Sequence, residues 1–267
     1  MKKLRLVATG LALFGIAGLS LAQDVHLHVN PRWKECSFQL DPSLKQDAWH
    51  QFTREAGLVS YFRPLTDAKP MGAGRFEISI LRWATAIDDK KSAWNDTFVH
   101  PDSTHWLKEG PRLAFPGLTA RIGVSKKMDV GLYFTRNPNA NYGFFGTQLQ
   151  YSLLNNPEKK WAAAARVSFS SMFGPADLKF SVYGLDLIAS QEFRIYSDWA
   201  FVSPYVGIST YLSRAHETTD KVNLHDENVV GGQALAGVAL KLSIARLGAE
   251  YSFAKVNTFS MKIGVAF

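Results

Sequence analysis

The sequence predicts an all-β fold: a closed antiparallel transmembrane β-barrel of about ten to twelve strands, with a short N-terminal helix. Three observations predict it. From Arg75 onward the chain alternates apolar with polar or small residues, over segments long enough to cross a membrane as tilted strands. The connections between those segments alternate short and long. The opening residues read as an export signal, and after them no apolar run is long enough for a helical span.

Lys2, Lys3 and Arg5 form a positive start, and Leu6 to Leu21 an apolar stretch broken by Gly10, Gly15 and Gly18. Ser20-Leu21-Ala22 supplies the small residues a signal peptidase reads, which places the cut after Ala22. A retained membrane anchor is the alternative, and the short, Gly-rich run argues against it. Residues 1–22 are therefore read as a signal peptide, 23–74 as an N-terminal segment with a helix and a first strand, and 75–267 as the barrel. The single cysteine, Cys36, allows no internal disulfide and no cysteine-based metal cluster, and it lies too far along to be a lipoprotein site. Without Lys2, Lys3 and Arg5 the formal charge falls from +7 to about +4, too mild and scattered for nucleic acid.

Ser43 to Ala56 reads as a helix: Leu44, Ala48, Trp49, Phe52 and Ala56 make one stripe, Asp41 or Ser43 caps it and Gly57 ends it. Leu58 to Leu65 reads as a further strand. The helix has two open placements, as a plug in the lumen or at the periplasmic rim.

The barrel strands follow. Arg75 to Ala86 turns Phe76, Ile78 and Ile80 outward. Gly117 to Ser125 does so with Leu118, Ala120, Ile122 and Val124, and Met128 to Arg136 with Val130, Leu132 and Phe134. Gly143 to Leu153 sets Thr147, Leu149, Tyr151 and Leu153 against Gln148, Gln150 and Ser152. Trp161 to Ser171 sets Trp161, Ala163, Ala165, Val167 and Phe169 against Arg166, Ser168 and Ser170. Leu178 to Glu192 and Ala200 to Leu212 alternate less cleanly, and Pro204 marks an irregularity. Gly232 to Ser243, Arg246 to Phe253 and a terminal strand complete the set.

Counting back from the C-terminus, Ile244-Ala245, Phe193 to Trp199, Asn155 to Lys160 and Lys126-Lys127 fall at one end as short turns. Ser213 to Val230 and Ile87 to Pro116, the longest and most polar links, fall at the other. Short periplasmic turns and longer external loops are the pattern of outer-membrane barrels. It favours a barrel over a soluble periplasmic β-protein.

Phe259, Met261, Ile263, Val265 and Phe267 share one face of the last strand, opposite Thr258, Ser260, Lys262, Gly264 and Ala266. This strand resembles the closing strand of bacterial outer-membrane β-barrels. The resemblance implies that those five residues are a signal read by the barrel-assembly machinery.

Glu77, Asp186 and Glu250 are predicted to face the lumen, with Arg121, Arg166, Lys241, Arg246 and Lys262. In a narrow barrel mixed charges are expected to pair with one another, because uncompensated buried charges cost several kcal/mol. A charge-lined pore with an anion preference is the alternative. Trp33, Trp83, Trp94, Trp106, Trp161 and Trp199, with Tyr133, Tyr151, Tyr205 and Tyr211, are expected in interfacial girdles or in ordinary strand packing.

The runs Phe52-Thr53-Arg54-Glu55-Ala56-Gly57-Leu58, Tyr61-Phe62-Arg63-Pro64-Leu65 and Phe76-Glu77-Ile78 resemble a family of uncharacterised proteobacterial outer-membrane β-barrel proteins. Tyr183-Gly184-Leu185-Asp186 and Ser203-Pro204-Tyr205-Val206-Gly207 extend the resemblance over most of the chain. It implies a fold and a compartment, with no catalytic motif and no substrate.

Chemistry beyond this is sparse. His100, Asp102 and His105 fall in one long loop; His216, Asp220, His225, Asp226 and Glu227 fall in the other. A histidine beside a carboxylate can activate water, yet no spacing singles out a nucleophile. His26 and His28 make at most a weak metal site. Asn139-Ala140-Asn141 and Asn155-Asn156-Pro157 are turns. The sequence therefore predicts an outer-membrane protein that is structural, or that binds or passes a small or amphipathic solute through a narrow or plugged lumen. A surface hydrolase of lipid or peptide is the alternative. The expected partners are outer-membrane lipids, the assembly machinery and such a solute; no cofactor, metal or nucleic acid is expected.

Overall fold

Alternating residues from Phe76 onward pair into one continuous antiparallel ladder that returns to its own first strand. The computed structural model describes residues 39–88, 90–98, 113–136, 142–196 and 198–267. The signal peptide and its cut, His26, His28, Trp33, Cys36, His100, Asp102, His105, Trp106 and the turn at Asn139 lie outside the described residues.

The strands are β1 (Phe76–Thr85), β2 (Leu113–Gly123), β3 (Met128–Arg136), β4 (Gly143–Asn156), β5 (Trp161–Phe173), β6 (Leu178–Gln191), β7 (Phe193–Arg194), β8 (Ala200–Glu217), β9 (Glu227–Leu242), β10 (Ala245–Phe253) and β11 (Thr258–Ala266). β1 pairs with both β2 and β11, and β6 with β8, so ten long strands close the ring. β7 continues β6 in the same register: Ser190 faces Tyr205 and Phe193 faces Val202. The break falls opposite Pro204, which has no N–H to give a ladder. A second irregularity, a register shift at Ser152/Leu154, bends β4.

Residues 124–127, 157–160, 195–199 and 243–244 connect strands at one end, the turn end. The β1–β2, β3–β4, β5–β6, β8–β9 and β10–β11 connections lie at the loop end. The expected loop from Ser213 to Val230 is strand at both ends, since β8 runs to Glu217 and β9 begins at Glu227. Inward positions there hold the small residues Ser213 and Ala215 and outward ones the polar Arg214 and His216, so the usual apolar-out signal is missing.

Outward side chains form an apolar band around the ring. Phe76, Ile78, Ile80, Leu118, Ile122, Leu132, Val167, Leu185, Leu187, Val206, Ile208, Val230 and Ile263 are all exposed. A band of that extent is the surface of a barrel that sits in hydrocarbon. The girdle assignment needs correction. Trp161, Trp199 and Tyr151 are exposed, whereas Trp83, Trp94, Tyr133, Tyr205 and Tyr211 are buried inside. Trp83 shares strand parity with inward Glu77, and Tyr205 and Tyr211 occupy the inward positions of β8.

Inside the ring lies the N-terminal segment. Helix α1 spans Gln46–Val59, three residues later than expected at either end. Lys45 is its N-cap and makes no side-chain cap; the Asp41 carboxylate instead accepts from Ser43 N and Oγ. Gly57 does not end the helix. It is inside it, where a β-carbon would lie 2.8 Å from a ring carbon of Tyr211 and 2.9 Å from Cβ of Ser213. Only glycine lets the helix lie this close to β8. Helix α2 (Ser92–Asn95) folds in after β1, and Trp94 Nε1 donates to Glu55 at 2.6 Å.

The expected strand Leu58–Leu65 is absent: its first two residues finish α1, and the rest joins no sheet. Ser60–Gly72, hereafter the thread, is an extended chain running along the lumen. It links α1 at the loop end to β1 at the turn end. The helix therefore lies at the loop end, within the mouth of the barrel, and the turn-end rim placement is set aside.

Candidate functional site

The lumen is divided into an apolar half at the loop end and a polar half at the turn end, both completed by the N-terminal segment. In the apolar half Phe52 is the hub. Its ring lies 5.6 Å from Trp49, 5.2 Å from Trp94 and from Phe98, and 6.2 Å from Phe180. Trp83, Phe115, Tyr142 and Phe144 extend the cluster along the wall. The first described residues are fixed at the same end: Leu40 bridges Phe98, and its N–H donates to Asp177.

The end of α1 would leave bare carbonyls inside the barrel. Wall side chains satisfy them. Trp83 Nε1 donates to Val59 O at 2.9 Å, while Tyr133 Oη and Ser170 Oγ donate to Ser60 O at 2.9 and 2.8 Å. Arg63, on the thread itself, folds back to donate to Leu58 O at 2.7 Å and Tyr61 O at 3.0 Å.

Below this the thread meets the wall on nearly every side. Tyr61 Oη donates to Asp186 at 2.5 Å. Lys262 Nζ donates to Pro64 O at 2.9 Å, and Arg166 donates to Thr66 O at 2.7 Å and Thr66 Oγ1 at 2.9 Å. Lys241 pairs with the Asp67 carboxylate at 2.6 Å, and Ala68 N donates to Ser190 Oγ at 3.0 Å. Met71 N donates to Asp129, and Gly74 N to Gly123 O at 2.9 Å. At Gly123 a β-carbon would overlap the carbonyl of Gly72, so the thread leaves the lumen through a gap that glycine opens.

Sequence reasoning expected the inward charges to pair among themselves. Of the eight, only Glu77 and Lys262 do so, at 2.5 Å. Arg121 stands opposite Glu77 in register but pairs with Asp129 at 2.5 Å. Arg166 and Asp186 are likewise register neighbours, yet each directs its hydrogen bonds to the thread, and Arg166 also to Gln150 at 2.8 Å. Glu250 accepts from Tyr205 Oη at 3.0 Å. Lys241 bridges Asp67 and Glu192, which also takes Lys69 at 2.8 Å. Arg246 lies at the turn-end mouth and donates to the carbonyls of Ser243 and Ala245. The missed partners are therefore Tyr61, Thr66, Asp67, Asp129, Gln150, Glu192 and Tyr205.

The polar half opens at the turn end into a cavity of about 650 Å³, whose lining includes Lys69, Arg75, Glu192, Lys241, Arg246 and Phe267. Phe267 closes the seam: its N–H and C=O exchange hydrogen bonds with Phe76, and the two rings stack at 5.1 Å. Phe259, Met261, Ile263 and Phe267 are exposed on the outer wall, and Val265 is half-buried there.

The described loop-end acids and histidines do not converge on one centre. His216 Nδ1 lies 2.6 Å from Asp226, and His50 Nδ1 lies 2.7 Å from Glu227, which also meets Gln46. Among the described residues no hydroxyl is hydrogen-bonded to either histidine, and no group of three metal-ligating side chains forms.

No protein-family model matches the chain, and no curated protein sequence matches it. Solved structures similar to it include the attachment invasion locus protein Ail of Yersinia pestis, 13% identical over 73% of this chain and 99% of that one, with a TM-score of 0.30. The beta domain of the Bordetella autotransporter Brka is 12% identical over 73% and 100%, with a TM-score of 0.39. The translocator domain of autotransporter NalP from Neisseria meningitidis is 9% identical over 83% and 95%, with a TM-score of 0.33. At those scores the strand pairing above, not the likeness, establishes the barrel.

Proposed function

We propose that this protein is an outer-membrane β-barrel occluded by its own N-terminal segment, with a structural role or one in holding a small anionic solute at its periplasmic mouth. The observation that carries the reading is the thread, hydrogen-bonded to opposite walls by Asp186, Arg166, Lys262 and Lys241. A gap wide enough to pass solute would require several of these buried bonds to break together. The exposed apolar band supports the membrane, and short turns opposite longer loops support an orientation with the turn end in the periplasm. The resemblance to uncharacterised proteobacterial barrels, and export by a cleaved signal, belong to the same proposal. The cavity at the turn end supports solute binding: Arg75 and Arg246 line it, and neither forms a direct ion pair with a carboxylate among the described residues.

In planar lipid bilayers the intact protein is expected to show no steady conductance steps. The double variant Arg63→Ala, Arg166→Ala removes the Arg63 contacts to Ser252, Gln233 and Thr258 of the wall and the Arg166 contacts to Thr66, which frees the thread at two levels, and should show intermittent ones. Open channels in the unaltered protein at low voltage would overturn occlusion. The closing strand makes a separate prediction. Deleting Phe267 removes the ring stack and two backbone bonds with Phe76 at the seam, together with the proposed assembly signal. Outer-membrane levels of the heat-modifiable form should fall severalfold, and unchanged levels would sink the assembly role.

A further inference from the structure

We propose a binding site for a phosphorylated, acylated glycolipid of the outer leaflet on the outer wall of the barrel, across β5, β6, β8 and β9 near the loop end. This rests on the membrane orientation proposed above. The register defines successive rows of outward side chains. One row holds Phe169, Tyr183, Leu212 and Val230; the next toward the loops holds Ser171, Ser181, Arg214 and Asn228; above it Lys179 stands opposite His216. Within two rows the wall changes from apolar to cationic, while still facing away from the lumen.

A cavity of about 520 Å³ follows this boundary, with Phe169 and Tyr183 in its lining and Lys179, Arg214 and His216 along its polar side. All three basic side chains are exposed. His216 is engaged by Asp226 at 2.6 Å, and nearby Glu227 by Gln46 and His50. That leaves the charges of Lys179 and Arg214, neither of which has a carboxylate partner among the described residues. Arg214 Nε donates to Asn228 Oδ1 at 2.9 Å, which steadies the guanidinium against the wall.

Two cations beside hydroxyl and amide groups suit a phosphate, because charge-assisted bonds to phosphate oxygens are among the stronger polar contacts. The apolar row directly beneath suits acyl chains. An amphiphile whose phosphate sits at the headgroup level and whose chains descend along the barrel satisfies both at once. A free phosphate would leave Phe169 and Tyr183 without a role. The hydroxyl-bearing row also gives a sugar ring the donors and acceptors that a bare hydrocarbon lipid would not use.

The test uses the full chain in detergent micelles, with binding of diphosphorylated lipid A read by native mass spectrometry. The comparison probes are lipid A stripped of phosphate, phosphatidylglycerol and inorganic phosphate. The unaltered protein should prefer the phosphorylated glycolipid, and Lys179→Ala with Arg214→Ala should weaken it by about a hundredfold, roughly tenfold per cation. The double variant should also bind the phosphorylated and stripped forms alike. Equal preference for phosphate in both proteins would overturn the site, as would phosphatidylglycerol binding as tightly as the glycolipid, or inorganic phosphate displacing it completely at matched concentration. Both side chains lie on the outer surface, so the variant should keep the faster unboiled gel mobility of a closed barrel. Absence of that mobility in the unaltered protein would overturn the membrane reading itself, which distinguishes the two failures.

Discussion

Replacing Lys262 with methionine is expected to destabilise the barrel by about 3–5 kcal/mol, the cost of leaving a buried charge without its partner. Lys262 Nζ lies 2.5 Å from Glu77 and 2.9 Å from Pro64 O, and both acidic and basic side chains are almost wholly shielded from solvent. Removing the ammonium strands a carboxylate between β1 and β11, at the seam of the ring, and releases one wall contact of the thread. The measurement is the temperature at which the fast-migrating unboiled band converts to the slow one. Adding Glu77→Gln to Lys262→Met should restore most of the loss, because no unpaired charge then remains. A single variant as stable as the parent, or a double variant no better than the single, would contradict this account.

Phe52→Ala should cost a similar amount, about 3–5 kcal/mol, through a different cause. Four aromatic rings surround Phe52, two edge-on at 5.2 Å, and they come from α1 itself, from the segment after β1 and from β6. Truncation would leave a cavity that those elements cannot fill without moving α1 off the wall. Since α1 closes the loop end, the loss should be accompanied by faster proteolysis within residues 39–59 in the folded protein. If the variant keeps both its conversion temperature and its protease resistance, the apolar half does not depend on this hub.

Strand direction was readable from local alternation, because period two states which side chains face out without any knowledge of neighbours. In β1, in β2 from Gly117, in β3 to β5 as far as Phe169, and again from Phe259 to Phe267, that information was sufficient; Leu113 to Pro116, read as loop, instead begins β2. It faltered in β8 and β9, where Arg214, His216 and Asn228 take outward positions that elsewhere hold apolar residues. The thread was not legible as such. Extended chain with no sheet partner carries no period, and what holds Pro64 and Thr66 is their carbonyls, which any residue would supply. For the same reason alternation placed Arg166 and Asp186 on the inner face but could not name Thr66 and Tyr61 as their partners, 100 and 125 positions away in sequence. Asp129, at the start of β3, reads locally as a turn residue; only closure of the ring brings Arg121 to it.

The path of the thread has a consequence for how such a molecule comes into being. Described chain begins at the loop end, descends the bore and emerges past Gly123 to become β1, so the ring is strung on its own leader. If the β1–β11 seam shut first, the fourteen-residue helix α1 would have to be drawn afterwards through a bore already narrowed by Trp83, Arg166, Tyr205 and Tyr211. Closing the ring around a leader already in place avoids that passage. The last hydrogen bonds of the cylinder and the lodging of its contents then become one event, and the lumen has no empty stage in its history.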